Sequence, residues 1–120
     1  MQRKEEGHLN YLCDLSDLLN KAEAGSPESQ YELANLYFEG DVVQQDRNAA
    51  LCWYMKAAGQ GHRDAQYMVG VIYACGEGVP ADVWTACDWY GLAAGQGHKH
   101  AVLQLELLSR TQWYVPPWIH

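Results

Sequence analysis

Apolar side chains recur along this chain in blocks with the spacing of a helix. Gln30, Leu33, Ala34 and Tyr37 stand at i, i+3, i+4 and i+7, as do Ala50, Trp53, Tyr54 and Ala57, with Ala58 widening the second stripe. Residues three and four apart are neighbours on a helix surface, so each block makes one apolar face. The arrangement returns in Gln66, Val69, Gly70 and Tyr73, and again in Ala86, Trp89, Tyr90, Ala93 and Ala94. Ahead of them, Tyr11, Leu12, Leu15, Leu18, Leu19 and Ala22 form the stripe of a leading helix. The pattern predicts six helices, near 8–24, 27–39, 47–59, 63–75, 83–95 and 99–110.

Helix-breaking residues fall between the blocks. Gly40 and Gly76 follow the first helix of each pair, where a left-handed residue commonly ends a helix. Asp46 and Asp82 stand where a carboxylate can accept the first free N–H groups of the second helix. Gly59 and Gly61, like Gly95 and Gly97, fall where the chain must reverse, and Pro27 suits the first turn of a helix capped by Ser26. Gly25 closes the leading helix in register with Gly61 and Gly97, so that helix reads as half of an incomplete unit.

These blocks are copies. Ala57-Ala58-Gly59-Gln60-Gly61-His62 returns as Ala93-Ala94-Gly95-Gln96-Gly97-His98, a step of 36 residues. Laying 29–64 on 65–100 without a gap gives 15 identities, among them Gln30/Gln66, Tyr31/Tyr67, Tyr37/Tyr73, Asp46/Asp82 and the Trp53-Tyr54/Trp89-Tyr90 pair. A fixed period of this length marks an array of stacked supersecondary units, which present extended binding surfaces more often than catalytic pockets.

The second unit runs Ala65, Val69-Gly70, Tyr73, Gly76-Glu77-Gly78-Val79, Asp82, Ala86, Trp89-Tyr90, Ala93-Ala94, Gly97. It resembles the Sel1-like repeat, a branch of the tetratricopeptide-like helical solenoids. The first unit departs from that pattern at Ala34 and Val42, where the family usually has glycine. The resemblance implies an all-α, right-handed α-α superhelix of helix pairs. The whole chain, 1–120, then forms one domain: a capping helix over 8–28, repeats over 29–64 and 65–100, and a capping helix with an aromatic tail over 101–120. It also implies the family's roles, as adaptors and scaffolds. Cysteine-rich members have been linked to β-lactam binding or hydrolysis and carry a disulfide in each repeat. Here only Cys75 and Cys87 share a unit at a suitable spacing, and their counterparts are Glu39 and Leu51, so that branch fits poorly.

In tetratricopeptide-like folds the first helix of each pair lines the concave face. The resemblance therefore directs Glu28, Tyr31, Asn35, Phe38 and Glu39 to that face, then Asp64, Tyr67, Val71, Ala74 and Cys75, and finally His100, Leu103, Leu107 and Arg110. Tyr31, Tyr67 and Leu103 make a ladder at the repeat step, with acids beside it, which suits an extended or helical peptide carrying apolar anchors and some Lys or Arg. The two tyrosines equally suit partly buried packing within the repeat. In the tail, Pro116-Pro117 forbids helix, and Trp113, Tyr114 and Trp118 are expected to fold back over the last helix; serving as a ligand or joining another copy is the rival.

Composition narrows the partner. Eight Lys and Arg against fifteen Asp and Glu leave a net charge of −7, which argues against a nucleic-acid phosphate backbone as ligand. No stretch is long and apolar enough to span a membrane, and the polar start, Met1-Gln2-Arg3-Lys4-Glu5-Glu6, is unlike a secretory signal. The chain is thus expected to be cytoplasmic unless a leader preceded it, with Cys13, Cys52, Cys75 and Cys87 reduced. The glycine pairs are helix-pair turns and not phosphate loops, His62 and His98 belong to equivalent turns, and His98-Lys99-His100 matches no zinc-ligand spacing. No catalytic residue, cofactor or metal is expected. The reading is a protein–protein interaction module (an adaptor, chaperone or neutralising partner) that is a monomer or weak homo-oligomer. A β-lactam-binding protein or hydrolase, or a self-assembling structural piece, are the alternatives.

Overall fold

The computed structural model describes residues 15–110, which form six helices and, among the described residues, no strand. They are α1 (15–23), α2 (Pro27–Glu39), α3 (Arg47–Gly59), α4 (Arg63–Cys75), α5 (Val83–Gly95) and α6 (Lys99–Arg110). The start expected for the leading helix and the aromatic tail lie outside the described residues. Substantial contacts run between sequence neighbours, α2 on α3, α3 on α4, α4 on α5 and α5 on α6, which is the order of a helical solenoid.

Each predicted cap forms. Ser26 Oγ accepts the N–H of Ser29 at 3.3 Å, with Pro27 in the first turn. Asp46 accepts from Ala49 at 3.0 Å, and Asp82 accepts both the N–H of Thr85 at 3.2 Å and its hydroxyl at 2.7 Å. Gly40 and Gly76 end α2 and α4 in the left-handed region, at φ 76° and 75°. After α1, α3 and α5 the same reversal occurs three times. Gly25, Gly61 and Gly97 donate to the carbonyls of Ala22, Ala58 and Ala94, and the next residue donates to Lys21, Ala57 and Ala93. The long loops close alike too, Asp46 N–H on the Tyr37 carbonyl at 2.9 Å and Asp82 N–H on that of Tyr73 at 2.8 Å, although Val42 replaces a glycine.

Small residues let the helices approach. Ala34, Ala50, Tyr54, Ala57, Ala58, Ala65, Val69 and Ile72 make one buried cluster, and Ala86, Cys87, Tyr90, Ala93, Ala101 and Leu105 a second. Trp53, Tyr37 and Leu51 pack around the first, and Tyr73 touches both. Between units, the loop after α4 presses on the start of α3: a Cβ on Gly78 would lie 3.0 Å from Asn48 Oδ1, and Glu77 pairs with Arg47.

Two buried glutamines join one unit to the next. Gln30 and Gln66, 4% and 5% exposed, stand on the stripes read above as apolar. Gln30 Nε2 donates to the Ala22 carbonyl at 3.1 Å and Gln66 Nε2 to that of Ala58 at 3.2 Å. Their Oε1 atoms accept from Gln60 and Gln96, each at 2.9 Å. Each buried amide thus uses both ends, which is the condition for placing it in a core without penalty.

Candidate functional site

The first helices of the pairs, α2, α4 and α6, begin along one edge, and a Tyr–His–acid group is built there twice. Tyr31 stacks on His62 with ring centroids 4.6 Å apart, and Tyr67 on His98 at 4.4 Å. His62 Nε2 lies 3.1 Å from Glu28, and His98 Nε2 lies 3.5 Å from Asp64. Each imidazole also caps a helix: Nδ1 accepts the N–H of Ala65 at 3.1 Å or of Ala101 at 3.2 Å. Behind the stacks stand the buried rings of Tyr54 and Tyr90, 5.9 Å from Tyr31 and 5.7 Å from Tyr67.

The expected groove residues divide into four groups. Glu28, Tyr31, Asp64, Tyr67 and His100 gather at this edge; His100 lies 6.2 Å from Tyr67 and 5.9 Å from His98, ring to ring. Asn35 and Phe38 face back toward α3: Asn35 Oδ1 accepts the Tyr54 hydroxyl, and Phe38 meets Tyr54 edge-on beneath the Arg47 guanidinium, 4.1 Å from the ring centre. Val71 and Ala74 pack on the second cluster. Glu39, Cys75, Leu103, Leu107 and Arg110 are exposed, Leu103 by 50% and Leu107 by 44%. Tyr31 and Tyr67 each pack on a core cluster and stay partly exposed.

Burial shapes the electrostatics. It pushes the Tyr31 hydroxyl above its ordinary value, with Asp64, Glu28 and Glu39 adding to the rise against a hydrogen bond to Asn35. Burial also raises the inner hydroxyls of Tyr54 and Tyr90, so both stay protonated as donors. The His98 ring is held below the usual histidine range, first by burial, with Arg63 and His100 acting the same way and Asp64 opposing them. Two open clefts line the edge, of about 350 Å³ over Glu28, His62, Arg63, Asp64 and Gln96, and about 280 Å³ over Arg63, Asp64, Gly97, His98, Lys99 and His100. Among the described residues no group of three His, Cys, Asp or Glu side chains could hold a metal ion. Cys52, Cys75 and Cys87 are free thiols.

Sequence reasoning put His62 and His98 in turns and did not pair them with acids. The signal was present: an acid stands 34 residues before each, Glu28 before His62 and Asp64 before His98.

Two adjoining segments, 27–62 and 63–98, match the model of the Sel1 repeat, and together they cover more than half of the chain. The chain belongs to the Sel1 repeat family. The matched units keep the 36-residue step and begin two residues earlier than the phase chosen from the sequence. Among solved structures, a protective antigen of uropathogenic Escherichia coli displaying an SLR fold is 39% identical, with a TM-score of 0.76 over 78% of this chain and 20% of that one. A Sel1 repeat protein from Oxalobacter formigenes is 34% identical, with a TM-score of 0.68 over 70% of this chain and 34% of that one. Helicobacter pylori cysteine rich protein B is 25% identical, with a TM-score of 0.72 over 76% of this chain and 68% of that one. The chain therefore spans about a fifth and a third of the length of the first two. No curated protein matches it. Sel1 repeats are generally non-catalytic scaffolds for protein–protein interaction. No helix among the described residues is long and apolar enough to cross a membrane.

Proposed function

We propose that this Sel1 repeat protein acts as an adaptor, taking an extended or helical segment of another protein along the concave face lined by α2, α4 and α6. The observation that carries this reading is the pair of braced tyrosines. Tyr31 and Tyr67 are each backed by an imidazole and a buried tyrosine, yet remain half-exposed at the repeat step. A ring already held in place loses little freedom on contact, so its buried area converts to affinity more fully than that of a loose side chain. Leu103 and Leu107 continue the ladder as exposed apolar anchors, and Glu28, Glu39 and Asp64 suit Lys or Arg on the partner.

Affinity capture from the native host's lysate tests this with wild type, Leu103→Ser/Leu107→Ser and Tyr31→Ser/Tyr67→Ser. The leucine pair is exposed, so its replacement is expected to leave the helical circular dichroism and melting temperature unchanged. A partner held by wild type and lost by both variants is the expected result. A partner retained by both folded variants overturns the groove reading.

A further inference from the structure

His62 and His98 perform three tasks with one ring. Nδ1 accepts a backbone N–H at the start of α4 or α6, and an imidazole nitrogen accepts only when it carries no proton. The proton of the neutral ring therefore sits on Nε2, the nitrogen that faces Glu28 or Asp64 on the preceding pair. The ring face covers Tyr31 or Tyr67. Both histidine side chains are only 11% exposed. In the first unit Ser26 fills the equivalent cap, and a hydroxyl does not titrate.

A second proton must go to Nδ1. It turns the capping acceptor into a donor pointed at another donor and sets a positive charge at the positive end of a helix. The acid across Nε2 works the other way. Around His62 the charged groups are Glu28 on α2 and Arg63 and Asp64 on α4; around His98 they are Arg63 and Asp64 on α4 and Lys99 and His100 on α6. The intervening turn contributes only Gln96 and Gly97, which are neutral. For His98 burial outweighs Asp64, and its ring is held neutral to lower pH than an ordinary histidine.

We propose that His62 and His98 are latches between successive helix pairs, each neutral ring capping the incoming helix while it braces a tyrosine, and that a proton releases the latch at His98. Release removes the cap of α6 and the brace behind Tyr67 together. A group whose folded pKa lies below its unfolded value stabilises fully above the unfolded value and loses that contribution as pH falls. For His98 the loss begins as pH drops through the ordinary histidine value of 6.5. The consequence for the groove, that acid weakens partner capture, rests on the function proposed above; the latch itself does not.

Two measurements on the full chain decide it. Long-range proton–nitrogen NMR at pH 7.5 is expected to show His62 and His98 as Nε2–H tautomers, and an Nδ1–H tautomer at either overturns the latch. Thermal unfolding from pH 7.5 to 5.5 is then compared for wild type and His98→Asn, since asparagine caps a helix without titrating. Wild type is expected to melt lower at pH 5.5 than at pH 7.5, and His98→Asn to lose less than half as much. An equal loss in both overturns the proposal. Should His98→Asn not fold, the NMR titration of His98 in wild type decides, and a midpoint at or above 6.5 counts against the latch. Partner capture unchanged at pH 5.5, with the tautomers and the stability loss as expected, would keep the latch and remove the groove reading.

Discussion

Gly70 and Ala34 hold the same place in the two units and meet different neighbours. A Cβ on Gly70 would lie 2.7 Å from two ring carbons of Tyr90, which is itself 2% exposed. Ala34 shares a buried cluster with Tyr54, whose hydroxyl is drawn to Asn35; at the place of Asn35 the second unit has Val71. Gly70→Ala gains about 1 kcal/mol of helix propensity against about 1–3 kcal/mol of overpacking, so a net loss of about 1 kcal/mol is expected in urea unfolding. The thiols divide just as sharply. Burial, with Asp88 adding to it, pushes the Cys87 thiol up to about 11, whereas Cys52 and Cys75 are exposed. In a Cys13→Ser background, a thiol reagent at pH 7.5 is expected to label Cys52 and Cys75 in the native protein and Cys87 only in denaturant. Labelling of all three at one rate would contradict this burial.

At the scale of the element, every helix from α2 to α6 occupies the span its apolar stripe predicted. This is because the stops are local: a left-handed glycine, an aspartate cap or a proline ends or begins a helix whatever lies beside it. The caps are not equal. Asp46 receives one backbone N–H, while Asp82 receives a backbone N–H and the Thr85 hydroxyl. The Thr85 hydroxyl, and then its N–H, hold the Asp82 carboxyl below its ordinary value. Asp46→Ala is expected to cost about 1 kcal/mol, and Asp82→Ala to lower the melting temperature further than Asp46→Ala does. Because the folded pKa of Asp82 is depressed, its contribution is present above the ordinary carboxylate value and disappears as pH falls below it. The two variants should therefore differ at pH 7 and converge in acid. What the stripes left illegible was the chemistry of the glutamines on them. Gln30 and Gln66 occupy apolar positions because their partners, the Ala22 and Ala58 carbonyls, are helix ends that folding buries beside them.

For the whole molecule, the glutamine relay adds a buried polar tie to the packing that joins one unit to the next. Gln96 reaches both Gln66 and the Gly61 carbonyl, 2.9 Å from each, so the turn after α5 is tied to the turn after α3. Val102 stands one repeat step beyond Gln66, and the relay has no glutamine to continue through there. Gln66→Ala is expected to cost about 2 kcal/mol, because it removes one buried bond and strands part of another. Combined with Gln96→Ala, the total should fall short of the sum by about 0.5 kcal/mol or more, as for residues in one network. Strict additivity in a double-mutant cycle would show that Gln66 and Gln96 do not act as one network.

The sequence by itself determined the helices, their ends and the period, since propensity, capping and helical spacing act within a few residues. Only the tertiary structure decided the uses of the polar repeats. Glu28 and His62 are 34 residues apart, and Gln30 and Gln60 are 30 apart, so nothing local says whether they meet. They meet because each helix pair folds back on itself, which sets the turn after its second helix beside the start of its first. That return, with the next pair stacked upon it, turned two turn histidines into links between units and two apparent apolar positions into a buried hydrogen-bond relay.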